Sequence, residues 1–285
     1  MKILIIGSSG FLGSHLARQL GVEVEVVPFD ITLGNDMRNH DEVSEAATAA
    51  DCIFFFGAAA VGRRSIDVSP NIGDIEYDGI CVVAKVAAAL GKPLYYASSI
   101  RAYGTSQEMV AGEKHMPHPT SAYGKVKLRC EQALVDTMQQ TGTPYYIFRI
   151  CAVYGKDMPE DFIIASFLRD ILAGKALHLL STGTQQRNFM YIDDVCEVFI
   201  RFLKAERAES GIYNIAHYET VKVLDLAALC GTVVGKDVHI YPASNISAEP
   251  DEIIATEKIT KAIGQYPCRS LSEGLAALYD APITP

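Results

Sequence analysis

The sequence has no apolar run long enough to cross a membrane. A spanning helix needs about 18 or more consecutive apolar residues, and no such run occurs here. The apolar start, residues 1–6, is followed directly by glycines and is too short for the apolar region of a secretion signal. We therefore interpret it as a buried strand, and we expect a cytoplasmic protein without membrane contacts.

The chain also lacks the cysteine spacing of disulfide frameworks and metal sites. Its seven cysteines are scattered, odd in number and never spaced as CxxC. Disulfide-rich domains and zinc modules need closely spaced or regularly paired cysteines. We therefore expect reduced thiols and no metal site.

Positive charge is in deficit, because 25 Lys and Arg residues face 34 Asp and Glu residues and give a formal net charge of -9. A net acidic chain is poorly suited to bind a polyanion, so we expect neither a nucleic-acid partner nor an anionic membrane partner. Internal repeats and low-complexity segments are also absent. With 49% apolar and 21% charged residues, the composition is that of a folded globular protein.

The chain alternates between short apolar runs and segments of helical periodicity. The strand candidates are Ile3–Ile6, Val22–Val27, Cys52–Phe56, Leu94–Ala97 and Tyr145–Ile150. The helical segments are Phe11–Leu20, Asp41–Ala49, Ile75–Leu90 and Tyr123–Gln140. Continuous apolar strands in this order are typical of a parallel sheet covered on both faces. The pattern therefore predicts an α/β fold with a doubly wound parallel sheet and right-handed crossovers.

Beyond about residue 155 the alternation loosens into short helices and short strands. We expect a first domain over residues 1–155 and a smaller lobe over residues 156–285. Parts of residues 186–216 are predicted to return to the first domain.

The first strand runs into a glycine-rich turn that opens a helix, with Gly7, Gly10 and Gly13 in GxxGxxG spacing. In this context the glycines allow a tight turn, a close approach of backbone to a pyrophosphate, and close packing of helix on sheet. The free N–H groups of the helix start then face the phosphates. The turn therefore predicts a dinucleotide site.

An acidic residue, Asp30, follows the second strand 17 residues after Gly13. A carboxylate there accepts hydrogen bonds from the adenosine ribose and repels a 2′-phosphate, and no Lys or Arg adjoins it. This favours NAD over NADP as cofactor. Asp36 follows soon after and is a candidate for contact with the adenine edge.

Two further pieces indicate catalysis. Tyr123 and Lys127 are four residues apart near the start of a helix and share one helix face. A free tyrosine titrates near pH 10, so a base near neutrality needs its phenolate stabilised by about 4 kcal/mol; an ammonium neighbour and the positive nicotinamide ring both do this. Ser98 and Ser99 follow the strand at Leu94–Ala97, at the end where parallel sheets bind ligands.

With these residues in order, the chain resembles the extended short-chain dehydrogenases/reductases of the NAD-dependent epimerase/dehydratase family, which act on nucleotide sugars. Four segments carry the resemblance: residues 98–104 (SSIRAYG) to SSxxVYG, 149–155 (RICAVYG) to RxxNVYG, 187–195 (RNFMYIDDV) to RDFxYVDDV, and 211–215 (GIYNI) to GxYNIG. The resemblance implies a Rossmann-like fold with a C-terminal substrate-binding lobe, and a nucleotide-diphosphate sugar as substrate.

The resemblance also implies roles for particular residues. Ser99, Tyr123 and Lys127 become the catalytic set, with Lys127 and Tyr123 also contacting the cofactor. Arg187 is expected to bind the diphosphate. Apart from the resemblance, the loop after the third strand makes Arg63 a candidate for binding a phosphate or a sugar carboxylate, with a solvated loop as its alternative. Further cofactor contacts are expected from Phe11, Leu12, Met37 and Ala58.

Three departures from the family pattern stand out. Ala152 replaces an Asn that usually touches the sugar nucleotide. Glu76 stands where the Asn of a helix-start NxxG motif is expected. The stretch between Asp30 and Asp36 is shorter than usual.

The reaction itself stays open at this point. Ile100 and Arg101 follow Ser99, where dehydratases carry an Asp-Glu pair and decarboxylases usually a Glu, so dehydration is disfavoured. A 4-epimerase and a net sugar or keto-deoxy-sugar-nucleotide oxidoreductase both remain. A catalytically inactive NAD-sensing regulator is a third alternative. The family also implies a homodimer formed through Ile75–Leu90 and Tyr123–Gln140.

Overall fold

A computed structural model describes residues 1–21, 24–57, 71–104, 110–205, 208–244 and 250–280. Its main sheet has six parallel strands in the spatial order β2-β1-β3-β4-β5-β10. The strands are β1 (Lys2–Ile6), β2 (Glu25–Phe29), β3 (Cys52–Phe55), β4 (Leu94–Ser99), β5 (Tyr145–Ile150) and β10 (Gly211–Ile215). The predicted α/β fold with a doubly wound parallel sheet is confirmed.

Helices cover both faces of this sheet. They are α1 (Phe11–Gln19), α2 (His40–Thr48), α3 (Asn71–Leu90), α4 (Ala122–Thr141) and α6 (Ile192–Leu203). Alternate residues of β1 enter opposite cores, as strand geometry requires. Ile3 and Ile5 pack in the core that contains Phe199 of α6, whereas Leu4 and Ile6 pack in the core formed with α2, α3 and α4. Burial on both faces explains the continuous apolar runs of the sequence.

The second strand differs from its predicted bounds of Val22–Val27, because β2 spans Glu25–Phe29 and continues through Pro28. Proline cannot donate a ladder hydrogen bond, which is why sequence reasoning ends a strand before it. Here β2 is the edge strand, paired only with β1 among the described strands. An edge position tolerates the missing N–H.

The remaining strands and α-helices of the described residues lie after residue 151. The strands form three two-stranded pairs: β6 (Ala152–Tyr154) with β9 (Phe189–Tyr191), β8 (Gln186–Arg187) with β11 (Val221–Lys222), and β7 (Leu177–His178) with β12 (Ile240–Tyr241). The helices are α5 (Ile163–Leu172), α7 (Val223–Val233), α8 (Glu257–Ile263) and α9 (Leu271–Asp280). The division of the chain at residue 155 stays a prediction.

The cysteines and the helix lengths bear on two expectations from the sequence, reduced thiols and the absence of a membrane-spanning helix. All seven cysteines lie within the described residues, and every one is a free thiol. None of the described helices is long and apolar enough to span a bilayer.

Candidate active site

The turn between β1 and α1 is tight because of its glycines. Gly7 has φ +84°, in the region that glycine favours, and its N–H donates to the Phe29 carbonyl at 2.8 Å. A Cβ on Gly13 would overlap the Gly7 carbonyl oxygen, so only glycine lets α1 lie this close to the turn. The helix begins after Gly10, and no side chain caps it. Its first N–H groups are therefore left for an anionic ligand.

The carboxylate of Asp30 lies at the end of β2, beside this turn. It accepts hydrogen bonds from the backbone N–H groups of Ser9 at 3.1 Å and Thr32 at 3.0 Å. The neighbouring Ser8 hydroxyl is buried without a hydrogen-bond partner in the described structure. These features together fit an adenine dinucleotide: the glycine turn, the uncapped helix start, the carboxylate at the end of β2 and the unpartnered Ser8 hydroxyl. In this fit the glycine turn would hold the pyrophosphate and Asp30 would bind the ribose.

The other predicted cofactor residues occupy different environments. Phe11 and Leu12 form the first turn of α1. Met37 packs so closely on the glycine that follows β3 that a Cβ on Gly57 would lie 2.6 Å from its sulfur. Asp36 pairs with Arg38 at 2.6 Å, and the hydrogen bonds from that guanidinium hold the pKa of Asp36 below its ordinary value. Ala58 and Arg63 lie outside the described residues.

The start of α4 positions the candidate base. Ser121 caps the helix by accepting a hydrogen bond from the Gly124 N–H at 3.1 Å. A Cβ on Gly124 would overlap the carbonyl oxygen of Arg101, so this glycine lets the helix start rest against the turn that follows β4. Tyr123 precedes Gly124 and is held by this contact beside the end of β4.

Lys127 lies one helical turn further on and is only 4% exposed. Its Nζ donates to the Ala97 carbonyl at 3.0 Å and to Glu76 Oε1 at 2.7 Å, and it lies 5.6 Å from the centre of the Tyr123 ring. Burial has the largest single effect and lowers the pKa of this ammonium, but the Glu76 carboxylate, together with Tyr123 and Cys130, outweighs it and raises the pKa above its ordinary value. The amine is therefore protonated at neutral pH.

Ser99 ends β4 and caps the short 3₁₀ turn at Ile100–Ala102 by accepting the Arg101 N–H at 3.2 Å. Its hydroxyl proton is left free of this contact and can be donated to a ligand. Because Lys127 is bonded to Ala97 of the same strand, the structure brings Ser99, Tyr123 and Lys127 together at the carboxyl end of β4.

A buried ion pair lies behind Ser99. The preceding residue, Ser98, donates its hydroxyl to Glu131 of α4. Glu131 also accepts two hydrogen bonds from Arg149 of β5, at 2.6 and 3.1 Å. Adjacent strand residues point to opposite sides, so Ser98 anchors the strand while Ser99 is left for the site.

Arg187 is 7% exposed, rather than being a surface side chain. It donates to the Pro250 carbonyl at 2.8 Å and pairs with Glu252 at 3.5 Å. Arg101 binds the same Glu252 oxygen at 2.5 Å. This carboxylate therefore links the expected diphosphate residue to the turn that follows Ser99.

Sequence reasoning missed several residues of this arrangement. Glu76 was noted only as a departure, without its contact to Lys127 across 51 positions. Glu252 and Ser8 were not singled out at all. For the close contact of Gly124 with the Arg101 carbonyl oxygen, the available signal was a glycine between Tyr123 and Lys127. Ala152 starts β6, where it is paired with Phe189.

Comparisons with known proteins agree with this geometry. A model of the NAD dependent epimerase/dehydratase family matches residues 3–216. The crystal structure of UDP-glucuronic acid 4-epimerase from Bacillus cereus, in complex with UDP-glucuronic acid and NAD, superposes with a TM-score of 0.87 and 25% identity, covering 98% of each chain.

Curated relatives are similarly distant and differ in their reactions. The uncharacterised UDP-glucose epimerase YtcB of Bacillus subtilis is 26% identical over 96% of both chains. UDP-glucuronic acid decarboxylase 1 of Danio rerio is 25% identical over 96% of this chain and 71% of its own length. The family match covers well over half of the sequence, and it agrees with the motifs from which a resemblance was inferred. The chain belongs to the NAD-dependent epimerase/dehydratase family, and NAD is its cofactor.

Proposed function

We propose that this protein is a 4-epimerase of nucleotide-diphosphate sugars. The observation that carries the proposal is the assembly at the end of β4, where the Tyr123 ring lies beside the buried ammonium of Lys127 and Ser99 ends the strand. This is a base, its electrostatic support and a hydrogen-bond donor in one place.

In the proposed reaction, Tyr123 removes the proton from the sugar 4-hydroxyl while Ser99 donates a hydrogen bond to the same oxygen. Lys127 stabilises the phenolate that accepts this proton. NAD, when bound, supplies the acceptor for the hydride that leaves C4 and the source of the hydride that later returns to the opposite face of C4. The 4-keto sugar then rotates so that its other face lies towards the cofactor. Tyr123 returns the proton to the oxygen, and the 4-epimer is released.

The residues after Ser99 favour epimerisation over reactions that need a second acid. Arg101 is a permanent cation that holds no transferable proton at neutral pH, and it is paired with Glu252. It cannot protonate a departing hydroxyl. The similarity to the Bacillus cereus 4-epimerase supports the same choice.

Binding and assembly complete the proposal. Arg187 would bind the diphosphate through its guanidinium fork, exchanging its contact with Glu252 for the ligand. The protein is proposed to form a homodimer through α3 and α4, which size-exclusion chromatography with light scattering will test.

The test is an assay of the purified protein with UDP-glucuronic acid and UDP-glucose, followed by chromatography of the sugars and by absorbance at the NADH band. We expect a 4-epimer to accumulate while the NADH band stays constant. NADH that accumulates with product would instead establish a net oxidoreductase.

Tyr123→Phe is the matched variant. It keeps the ring and removes the hydroxyl, so we expect turnover to fall by at least about 100-fold, the usual contribution of a positioned acid–base group. Retention of full turnover by this variant would refute the assigned role.

A further inference from the structure

A buried carboxylate lies directly against the candidate catalytic lysine. Glu76 of α3 is 1% exposed, and its Oε1 accepts hydrogen bonds from Lys127 Nζ at 2.7 Å and from the Tyr96 hydroxyl at 2.8 Å. Nothing in the proposed reaction uses this group. An ionised carboxylate in such a position is costly to bury unless it is paired, so its interaction with Lys127 needs a physical account.

Pairing with Glu76 keeps the buried amine of Lys127 protonated. An isolated buried amine loses its proton, and a neutral amine would not stabilise a phenolate. Lysine has three N–H donors. Glu76 takes one and the Ala97 carbonyl takes a second at 3.0 Å. Within the described residues the third donor has no hydrogen-bond partner, and the ring centres of Tyr96 and Tyr123 lie 5.2 and 5.6 Å from Nζ.

Two other titratable groups that face the pair, Cys130 and Tyr96, are uncharged near neutral pH. Burial raises the pKa of Cys130 on α4 to about 12, and burial together with Glu76 raises that of Tyr96 on β4 well above its ordinary value. Cys81 on α3 is a thiol close to Cys130.

Glu131, one turn beyond Lys127 on α4, is the other carboxylate on this side of the site. It is bound by Arg149 at 2.6 Å, so its charge is already compensated. Glu76 is therefore the negative charge that acts most directly on Lys127, and through it on Tyr123.

We propose that Glu76 is a positioning residue: it fixes the Lys127 ammonium beneath Tyr123, and its negative charge sets the pH range over which Tyr123 accepts a proton. This inference rests on the proposed function for the role of Tyr123. Removing the negative charge leaves the buried amine of Lys127 without its counter-ion, so Lys127 loses its proton at lower pH. A neutral amine no longer stabilises the tyrosinate, so Tyr123 then loses its proton only at higher pH.

The experiment compares the wild type with Glu76→Gln, which keeps the size and hydrogen-bonding capacity of the side chain. The readout is the tyrosinate absorbance of Tyr123, obtained as the difference between each protein and its Tyr123→Phe counterpart, with and without NAD. We expect the midpoint to rise by about one pH unit in Glu76→Gln, the order expected when the stabilising charge of a neighbouring ammonium is lost in a protein interior. The pH–kcat profile should narrow, because the acid limb, set by Tyr123, moves to higher pH and the basic limb, set by Lys127, moves to lower pH.

Matched variants separate charge from structure. Asp74→Asn removes one negative charge from the same helix, but Asp74 is 60% exposed and paired with Arg129 at the surface, so solvent screens it and the midpoint should not move. Glu76→Asp keeps the charge and should keep the midpoint near that of the wild type. Glu76→Asn provides a second neutral variant if the glutamine protein folds poorly.

Equal tyrosinate midpoints in the wild type and the neutral variants would overturn the inference, as would a shift of equal size in Glu76→Asp. The titration requires no substrate, so it is independent of the epimerase assignment. A wild type that shows no turnover would refute the proposed function, while a wild type that turns over with an unshifted Glu76→Gln would refute only the role of Glu76.

Discussion

The buried pair of Glu131 and Arg149 gives a prediction about stability. These residues are 3% and 2% exposed, and they join α4 to β5 through two hydrogen bonds. The guanidinium also lies 4.4 Å from the centre of the Tyr103 ring. Burial lowers the pKa of Arg149, but the hydrogen bonds that it donates to Glu131, together with the charge of that carboxylate and the contact with Tyr103, outweigh this effect and raise the pKa. An arginine side chain keeps its proton in proteins even without a partner, so Arg149 stays charged when Glu131 is removed.

We expect Glu131→Leu to destabilise the protein by about 3–5 kcal/mol, because it leaves a charged guanidinium buried without a counter-ion. An unfolding entropy of about 2.1 cal/mol/K per residue gives about 0.6 kcal/mol/K for a chain of 285 residues. The loss should thus lower Tm by about 5–8 °C.

The assay is thermal unfolding at a fixed NAD concentration, since bound ligand itself raises Tm. The double variant Glu131→Leu/Arg149→Met is the control, because replacing both charges with apolar side chains of similar size removes the unpaired group. We expect it to recover most of the lost stability. A single variant that costs less than about 1 kcal/mol, or a double variant no more stable than the single one, would refute this reasoning.

Three further predictions concern the cofactor turn, the acid stability and the thiols. Gly13→Ala should weaken NAD binding at least about tenfold in calorimetric titration, because the new methyl overlaps the Gly7 carbonyl oxygen and pushes α1 away from the phosphates. Asp36→Asn should lose less stability than the wild type between about pH 5 and about pH 3 in chemical unfolding. The lowered pKa of Asp36 beside Arg38 means that its contribution is full above its ordinary pKa of 3.8 and is lost as pH falls. Alkylation near neutral pH should modify Cys81 first, as read by mass spectrometry, because burial raises the pKa of the six other thiols.

Each of these has a simple control. Ser14→Ala, one residue further along α1, should leave NAD affinity unchanged, and an equal loss there would contradict the steric explanation for Gly13. Identical acid profiles for Asp36→Asn and the wild type would exclude the Arg38 interaction as a source of stability. Unfolding in guanidinium should make all seven thiols reactive, whereas rapid native labelling of Cys52 or Cys230 would contradict their burial.

The sequence was sufficient for the strands that lie inside the sheet. For β1, β3, β4 and β5 the predicted bounds agree to within two residues, because burial on both faces leaves an uninterrupted apolar run. The short pairs β6–β9 and β8–β11 were not predicted. Strands of two or three residues carry no periodicity of their own, and partners distant in sequence define them.

The candidate site, like the fold, could be predicted from the sequence only in part. Local patterns identified the glycine turn and the Tyr123–Lys127 spacing, because one turn or one helix face contains all the necessary residues. The contacts of Lys127 with Glu76 and of Arg101 with Glu252 join residues 51 and more than 100 positions apart. Such pairs depend on how helices and loops pack, and a single sequence carries no periodic signal for them.

The position of β10 has a consequence for how the chain is made. Its residues 211–215 pair with Tyr146–Ile150 of β5, so the ribosome must add about 60 more residues after β5 before that strand gains its outer neighbour. Synthesis proceeds at about 5–20 residues per second, so the nascent chain exposes an unpaired apolar strand edge, that of β5, for several seconds. Such an edge is a template for association with other chains, so premature termination between β5 and β10 should yield fragments that aggregate or depend on chaperones.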